Sequence, residues 1–160
     1  MKLTANAIRR AFDALSDALA RQQQRAEIVV VGGAAIVLLF GARDATRDVD
    51  ALFVRPDAAI IRRAAGEVAE QLGLPIDWLN DAAKGYLVGL TVGEVLYQSA
   101  ALVARAPSTE QLLAMKLAAW RDAIDRADAR LLLSHLPRDK LGVWQAVLPL
   151  VPTPQQGKAA

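Results

Sequence analysis

Apolar positions along the chain change period several times, and each change marks an element. From Leu3 to Arg25 the residues Ile8, Ala11, Phe12, Leu15, Ala18 and Leu19 recur at helical spacing and form one stripe, which predicts an N-terminal helix. Ile28 to Val31 reads as a short buried strand, and Ala34 to Phe40 as a helix ending near Gly41. Val49 to Val54 is a second strand, closed by Pro56. A helix follows from Asp57, its N-cap, to Leu72, with Gly73 just past its end. Leu74 to Leu79 reads as a third strand, with Pro75 suited to its start or to an edge. Tyr86 to Val92 and Glu94 to Ala104 read as two strands of a hairpin turning at Gly93. A long helix opens at Pro107-Ser108-Thr109-Glu110 and runs to about Ser134, and Lys140 to Val147 forms a last short helix. This order gives an α/β (α+β) protein, a mixed sheet flanked by helices. One domain is expected over 1–151, with an N-terminal helix in 1–25 and helices in 108–148, and the Pro/Gln/Gly-rich residues 152–160 read as a loose tail.

The chemistry concentrates between Glu27 and Phe53. An apolar run ends in Gly32-Gly33, an apolar helix follows, and Asp48-Val49-Asp50 opens the next strand. Alternation along a strand points Asp48 and Asp50 to one side and Val49 to the other, with the two Cα atoms about 7 Å apart. Two carboxylates so placed converge on a divalent cation, and oxygen ligands suit Mg²⁺ or Mn²⁺ completed by substrate phosphates. Gly-Gly ahead of a helix N-terminus leaves a side-chain-free turn whose backbone N–H groups favour a phosphate. The bland readings are a tight strand-to-helix turn and a pair of solvated carboxylates.

A Gly-Gly turn followed by Asp-x-Asp resembles the nucleotidyltransferase superfamily of DNA polymerase β and the small MNT-type enzymes. The run Gly41-Ala-Arg43-Asp-Ala-Thr46-Arg-Asp48-Val-Asp50 is similar to the bacterial AbiEii-like branch, as are Trp78-Leu-Asn80-Asp81-Ala-Ala-Lys84-Gly85 and Leu112-Leu-Ala-Met-Lys116-Leu-Ala-Ala-Trp-Arg121-Asp122. The resemblance implies a palm-like core, with a nucleoside triphosphate as substrate and Asp48 and Asp50 as metal ligands. Asp77 would be a third carboxylate on the neighbouring strand, with Asp81 its rival and the lack of a third carboxylate the remaining alternative, one that would count against catalysis. Gly32, Gly33, Arg43, Thr46 and Lys84 would meet the nucleotide, and Lys116, on the flank of the long helix, would reach the triphosphate. The branch points to toxin–antitoxin systems, in which the acceptor can be tRNA or a partner protein; other RNA or a small molecule would also offer the hydroxyl. The plain alternatives are a solvated Arg43, a turn-forming Thr46, a snorkelling Lys116 and a surface pair of Arg121 with Asp125.

Composition narrows the setting. A 54% hydrophobic content supports a real core, while only 5% aromatic residues leave packing to Val, Leu, Ile and Ala. A net charge of +2 without a Lys/Arg run does not argue for nucleic acid by itself. The chain has no cysteine, which excludes disulfides and thiolate metal sites, and its one histidine, His135, gives no zinc set. The longest apolar stretch is interrupted by Gly32-Gly33 and the N-terminus lacks a signal-like block, so a cytoplasmic protein without a membrane segment is expected. A metal-dependent nucleotidyltransferase is therefore expected. The competing class is a non-catalytic nucleotide- or partner-binding module on the same fold.

Overall fold

The computed structural model describes all residues, 1–160. They fall into two compact units, Met1–Ala83 with Glu94–Ala106, and Lys84–Gly93 with Pro107–Ala160. No helix is long and apolar enough to cross a membrane.

The first unit begins with β1 (Leu3–Thr4) and α1 (Ala5–Arg21). The Thr4 side chain accepts from Ala7 N and starts the helix two residues later than its apolar stripe suggests; Leu3 is free to pair with Thr46. The helix also stops before Arg25, because Gln23 takes a left-handed conformation at φ 56°. There follow β2 (Ala26–Val31), α2 (Gly32–Phe40), β3 (Ala45–Thr46), β4 (Val49–Arg55), α3 (Ala58–Leu72) and β5 (Leu79–Asn80). Asp57 caps α3 through Ala59 N and Gly73 closes it at φ 66°, as expected. The unit is completed by β6 (Val95–Gln98) and β7 (Leu102–Arg105).

Five strands form one mixed sheet in the order β5-β4-β2-β7-β6. β2 lies antiparallel to β4 and parallel to β7, while β5 runs parallel to β4 and β6 antiparallel to β7. This mixed sheet with flanking helices is the α/β class the pattern implies. β2 is central, and Ile28, Val29, Val30 and Val31 are all buried, which explains their unbroken apolar run. Trp78 ties sheet to helices: it is fully buried, donates its indole N–H to Ala65 O of α3 at 2.9 Å, and packs near Phe12 of α1.

Two expected strands are corrected here. The stretch 74–78 is not extended, because Trp78 N donates to Pro75 O in a turn, so β5 starts only at Leu79. The hairpin does not turn at Gly93. Ser99 N donates to Leu102 O and Leu102 N to Ser99 Oγ, which puts the turn at Ser99–Ala101. Residues 87–94 form no strand.

The second unit contains a 3₁₀ turn over Ala82–Tyr86, shared at its start with the first unit. Its helices are α4 (Thr109–Ala119), α5 (Ala123–Ser134), α6 (Lys140–Val147) and the short α7 (Gln156–Ala159). Gln111, fully buried, organises the loop before α4. Its Oε1 accepts from Thr91 N and Oγ1, and its Nε2 donates to Val88 O and Gly89 O. The tail carries helical turns, and Lys158 Nζ donates to Ala119 O at 2.6 Å.

The expected long helix is two helices. Trp120 sits at φ 35°, ψ 57°, and Asp122 caps α5 by accepting from Asp125 N. In one continuous helix Trp120 and Ile124 would share an apolar face with Leu113 and Leu117; with the break both are exposed while Leu113 is buried. Asp125, expected on the surface, is buried at the break. It accepts from Arg121 N at 2.8 Å, from Arg121 Nε at 3.2 Å and from Lys116 Nζ at 3.1 Å. Burial pushes its carboxyl up, but these hydrogen bonds and the Lys116 charge outweigh burial and hold it down at about 2.

This arrangement makes acid stability depend on Asp125. Its folded value lies below the ordinary carboxylate value, so the stabilisation is complete above that ordinary value and is lost as pH falls through about 2. Urea midpoints measured between pH 5 and pH 2 should fall in the wild type, with a loss of roughly 2 kcal/mol from this group. The Asp125→Asn variant should be less stable at pH 5 and show a flatter profile. Identical slopes in the two proteins would remove Asp125 from the account.

Candidate functional site

The site is built where β2 ends and α2 begins. Gly32 takes φ +63°, a conformation that favours glycine, and turns the chain from strand into helix. The α2 N-cap is Val31, with no side-chain hydrogen bond to the first turn, whereas Thr4, Asp57, Ser108, Asp122 and Asp139 cap their helices with side chains. Initial N–H groups of a helix need partners, and at α2 no capping side chain supplies one.

Asp50 arrives from β4, and Asp48 from the bend just before it rather than from the strand itself. Val49 is fully buried and its neighbours Asp48 and Asp50 are half-buried, the alternation expected of a strand with one face inward. Asp50 lies opposite Val31 in the antiparallel ladder, which carries its side chain to the glycine turn. A Cβ on Gly32 would stand 3.2 Å from Asp50 Oδ2. One on Gly33 would stand 2.5 Å from Arg43 Nη1 and 2.7 Å from Thr46 Oγ1. Gly32, Gly33, Arg43, Thr46 and Asp50 are thus brought together, and the glycines are small because these side chains lie against them. Thr46 is buried on β3, held by the pairing with Leu3 and by α2.

On the other side of β4, the parallel pairing sets Leu79 beside Val49 and Asn80 beside Asp50. Asn80 Nδ2 donates to Asp48 Oδ2 at 3.4 Å, a long contact, and to Asp77 O at 3.3 Å. Asn80 is therefore a site neighbour that the sequence reading passed over in favour of Asp77 and Asp81. The available signal was its place directly after the apolar pair Trp78-Leu79, both of which are buried. Asp77 is exposed in the turn preceding β5, off the strand on which it was expected. Asp81 is ion-paired with Arg62 of α3 at 2.9 Å. No group of three acidic or histidine side chains is arranged to hold a metal ion.

Lys84 and Lys116 belong to the second unit. Lys84 is exposed on the 3₁₀ turn. Lys116 is buried rather than at an exposed helix flank, its ammonium 3.1 Å from Asp125 Oδ1 and 2.8 Å from Asp128 Oδ2. Those two carboxylates pair the buried charge, as a buried ammonium requires.

The two glycines should respond differently to alanine. Gly32→Ala places a side chain in a left-handed conformation beside Asp50, so a loss of about 1–2 kcal/mol is expected in urea denaturation. Gly33→Ala carries no left-handed penalty and gains helix propensity; its cost comes from displacing Arg43 and Thr46. A Gly32→Ala variant as stable as wild type would show that the turn does not require glycine.

Neither curated proteins nor solved structures yield a significant match to the chain. A family model described as "Nucleotidyltransferase of unknown function (DUF6036)" matches residues 7–132. That span contains the glycine turn, the Asp-x-Asp strand and the neighbouring Asn80, and by it the chain belongs to this nucleotidyltransferase family.

Proposed function

We propose that the chain binds a nucleoside triphosphate with a divalent cation at the Gly32–Gly33 corner and transfers its nucleoside monophosphate to a hydroxyl acceptor. The observation that carries this reading is the packing of Asp50 and Arg43 against two glycines at a helix start without a side-chain cap. A phosphate approaching that start would meet backbone N–H groups and the end of the helix dipole. Arg43 adds a planar guanidinium suited to phosphate oxygens, and Thr46 fixes the loop that carries it.

The donor set fits Mg²⁺ or Mn²⁺. Asp48, just before β4, and Asp50, within it, offer carboxylate oxygens on either side of Val49, and two carboxylates with substrate phosphates and water would complete an oxygen shell. Held by Asp48 and Asp50, a cation would supply charge neutralisation at the phosphates. In the transfer, the acceptor oxygen bonds to the α-phosphorus, the bond to the β-phosphate oxygen breaks and pyrophosphate leaves. The acceptor proton passes to a base, for which Asp77, exposed two residues before β5, is our candidate. The similarity to AbiEii-like proteins adds RNA, including tRNA, or a partner protein of a toxin–antitoxin pair as acceptor classes.

One observation favours the second reading, a nucleotide-binding module without transfer. Asn80, an amide, stands beside Asp50 in the ladder, and the two site aspartates belong to no group of three acidic or histidine ligands.

Binding is read by thermal denaturation. Mg²⁺ with an NTP at a hundredfold excess over Kd should raise Tm by roughly 5–10 °C, and Asp48→Asn with Asp50→Asn should abolish the rise. Equal stabilisation of both proteins would put the nucleotide elsewhere. Incubation with each labelled NTP, Mg²⁺ and total RNA or lysate then reads transfer. Asp77→Asn should reduce transfer by about 10²-fold and leave the Tm rise intact, while Asp81→Asn should be mild. The reverse ranking would move the base to Asp81. Binding without label on any acceptor would favour the second reading.

A further inference from the structure

The second unit holds a cavity of about 460 Å³ that plays no part in the nucleotide reading. Leu113 and Leu117 of α4, Leu133 of α5, and Leu141, Val143, Trp144 and Val147 of α6 form its walls, and Ala159–Ala160 border it. The size falls within the range of small-molecule sites, which bury an apolar body and orient it with a few polar groups. Here one such group is present. Lys140, at the first position of α6, lines the cavity and forms no ion pair or hydrogen bond. The adjacent carboxylate, Asp139, is occupied in accepting from Gly142 N at 2.7 Å.

An unpaired ammonium on the border of an apolar cavity is complementary to one ligand chemistry, an anionic head on an apolar tail. A flat protein partner would need a broad face, whereas these residues from three helices and the chain's last turn surround a concave space. Leu141 is 62% exposed although it lines the cavity, and Leu133 is 43% exposed, so part of the wall is open to solvent. A lysine can lay its methylene stem along such a wall and keep its ammonium at the water boundary.

We propose that this cavity binds an aliphatic carboxylate, its chain among Leu113, Leu117, Val143 and Trp144 and its carboxylate on Lys140. The site is independent of the Gly32–Gly33 corner and stands whether or not nucleotide is bound or transferred there.

Decanoate is the probe, with decanol and decylamine as controls of equal chain length, titrated by calorimetry into the full chain below their micelle-forming concentrations. Decanoate should bind one to one and more tightly than decanol, and decylamine should be weakest. Lys140→Gln should weaken decanoate by about fivefold to tenfold, the scale of one partly exposed charge pair, and leave decanol unchanged. Leu141→Glu, at a position 62% exposed, should weaken decanoate at least as much by placing a negative charge at the wall, with the melting curve of the variant checked against the wild type. Absence of decanoate binding, or binding unaltered by both substitutions, overturns the proposal. Equal affinity for decanoate and decanol with no effect of Lys140→Gln overturns the assignment of the carboxylate. If sedimentation shows a dimer that Leu141→Glu dissociates while decanoate does not bind, the cavity wall is an interface between copies and the proposal fails.

Discussion

A missing pair of side chains sets the geometry of the candidate site. β2 must end and α2 begin within one residue, and Gly32 makes that reversal in a left-handed conformation. Because Gly32 has no Cβ, the Asp50 carboxylate can lie against its backbone; because Gly33 has none, the Arg43 guanidinium and Thr46 hydroxyl can do the same. Any larger residue would fill the space in which backbone donors, carboxylate and guanidinium meet. The central ladder supplies the rest of the constraint, since Asp50 is opposite Val31 and so next to the turn in space although eighteen residues away from Gly32 in the chain.

The sheet keeps that corner rigid through burial on its other face. Val49 and Ala51 are buried between strands and helices, and Trp78 is locked by its bond to Ala65 O. Val49 N donates to Trp78 O at 2.7 Å, so the indole anchor also fixes where β5 begins. Asn80 then falls beside Asp50. A core tryptophan thus decides which side chain neighbours the carboxylates. The side chain set beside Asp50 by that register is an amide, not a carboxylate.

In the second unit, buried charges stand within an apolar core that includes Leu112, Leu113, Leu132 and Val147. Lys116 is buried between Asp125 and Asp128, and Asp125 also holds the Arg121 backbone where α4 gives way to α5. Buried ion pairs are costly to desolvate and are weak evidence of stability in themselves. Here the aspartate stands in for backbone partners lost at the break, which gives the network a structural task.

Sequence alone determined the local features that need few residues to specify. The α3 caps at Asp57 and Gly73, the buried valines of β2, the burial of Val49 at the start of β4, and the limits of α6 were all legible, because period and capping chemistry act over one or two turns. The glycine turn was legible as a phosphate-binding candidate for the same reason. Tertiary structure decided the rest. Periodicity carried the long helix through Trp120, where Asp122 and Asp125 offered the backbone better hydrogen bonds than continuation did. Apolar content suggested strand at 74–78 and at 86–92, where Pro75 and the buried Gln111 hold the chain in turns and loop. Which residue stands beside Asp50, and whether Lys116 is exposed or buried between aspartates, depends on register and on partners distant in sequence. No local pattern encodes those pairings, because each is fixed only when two remote segments pack.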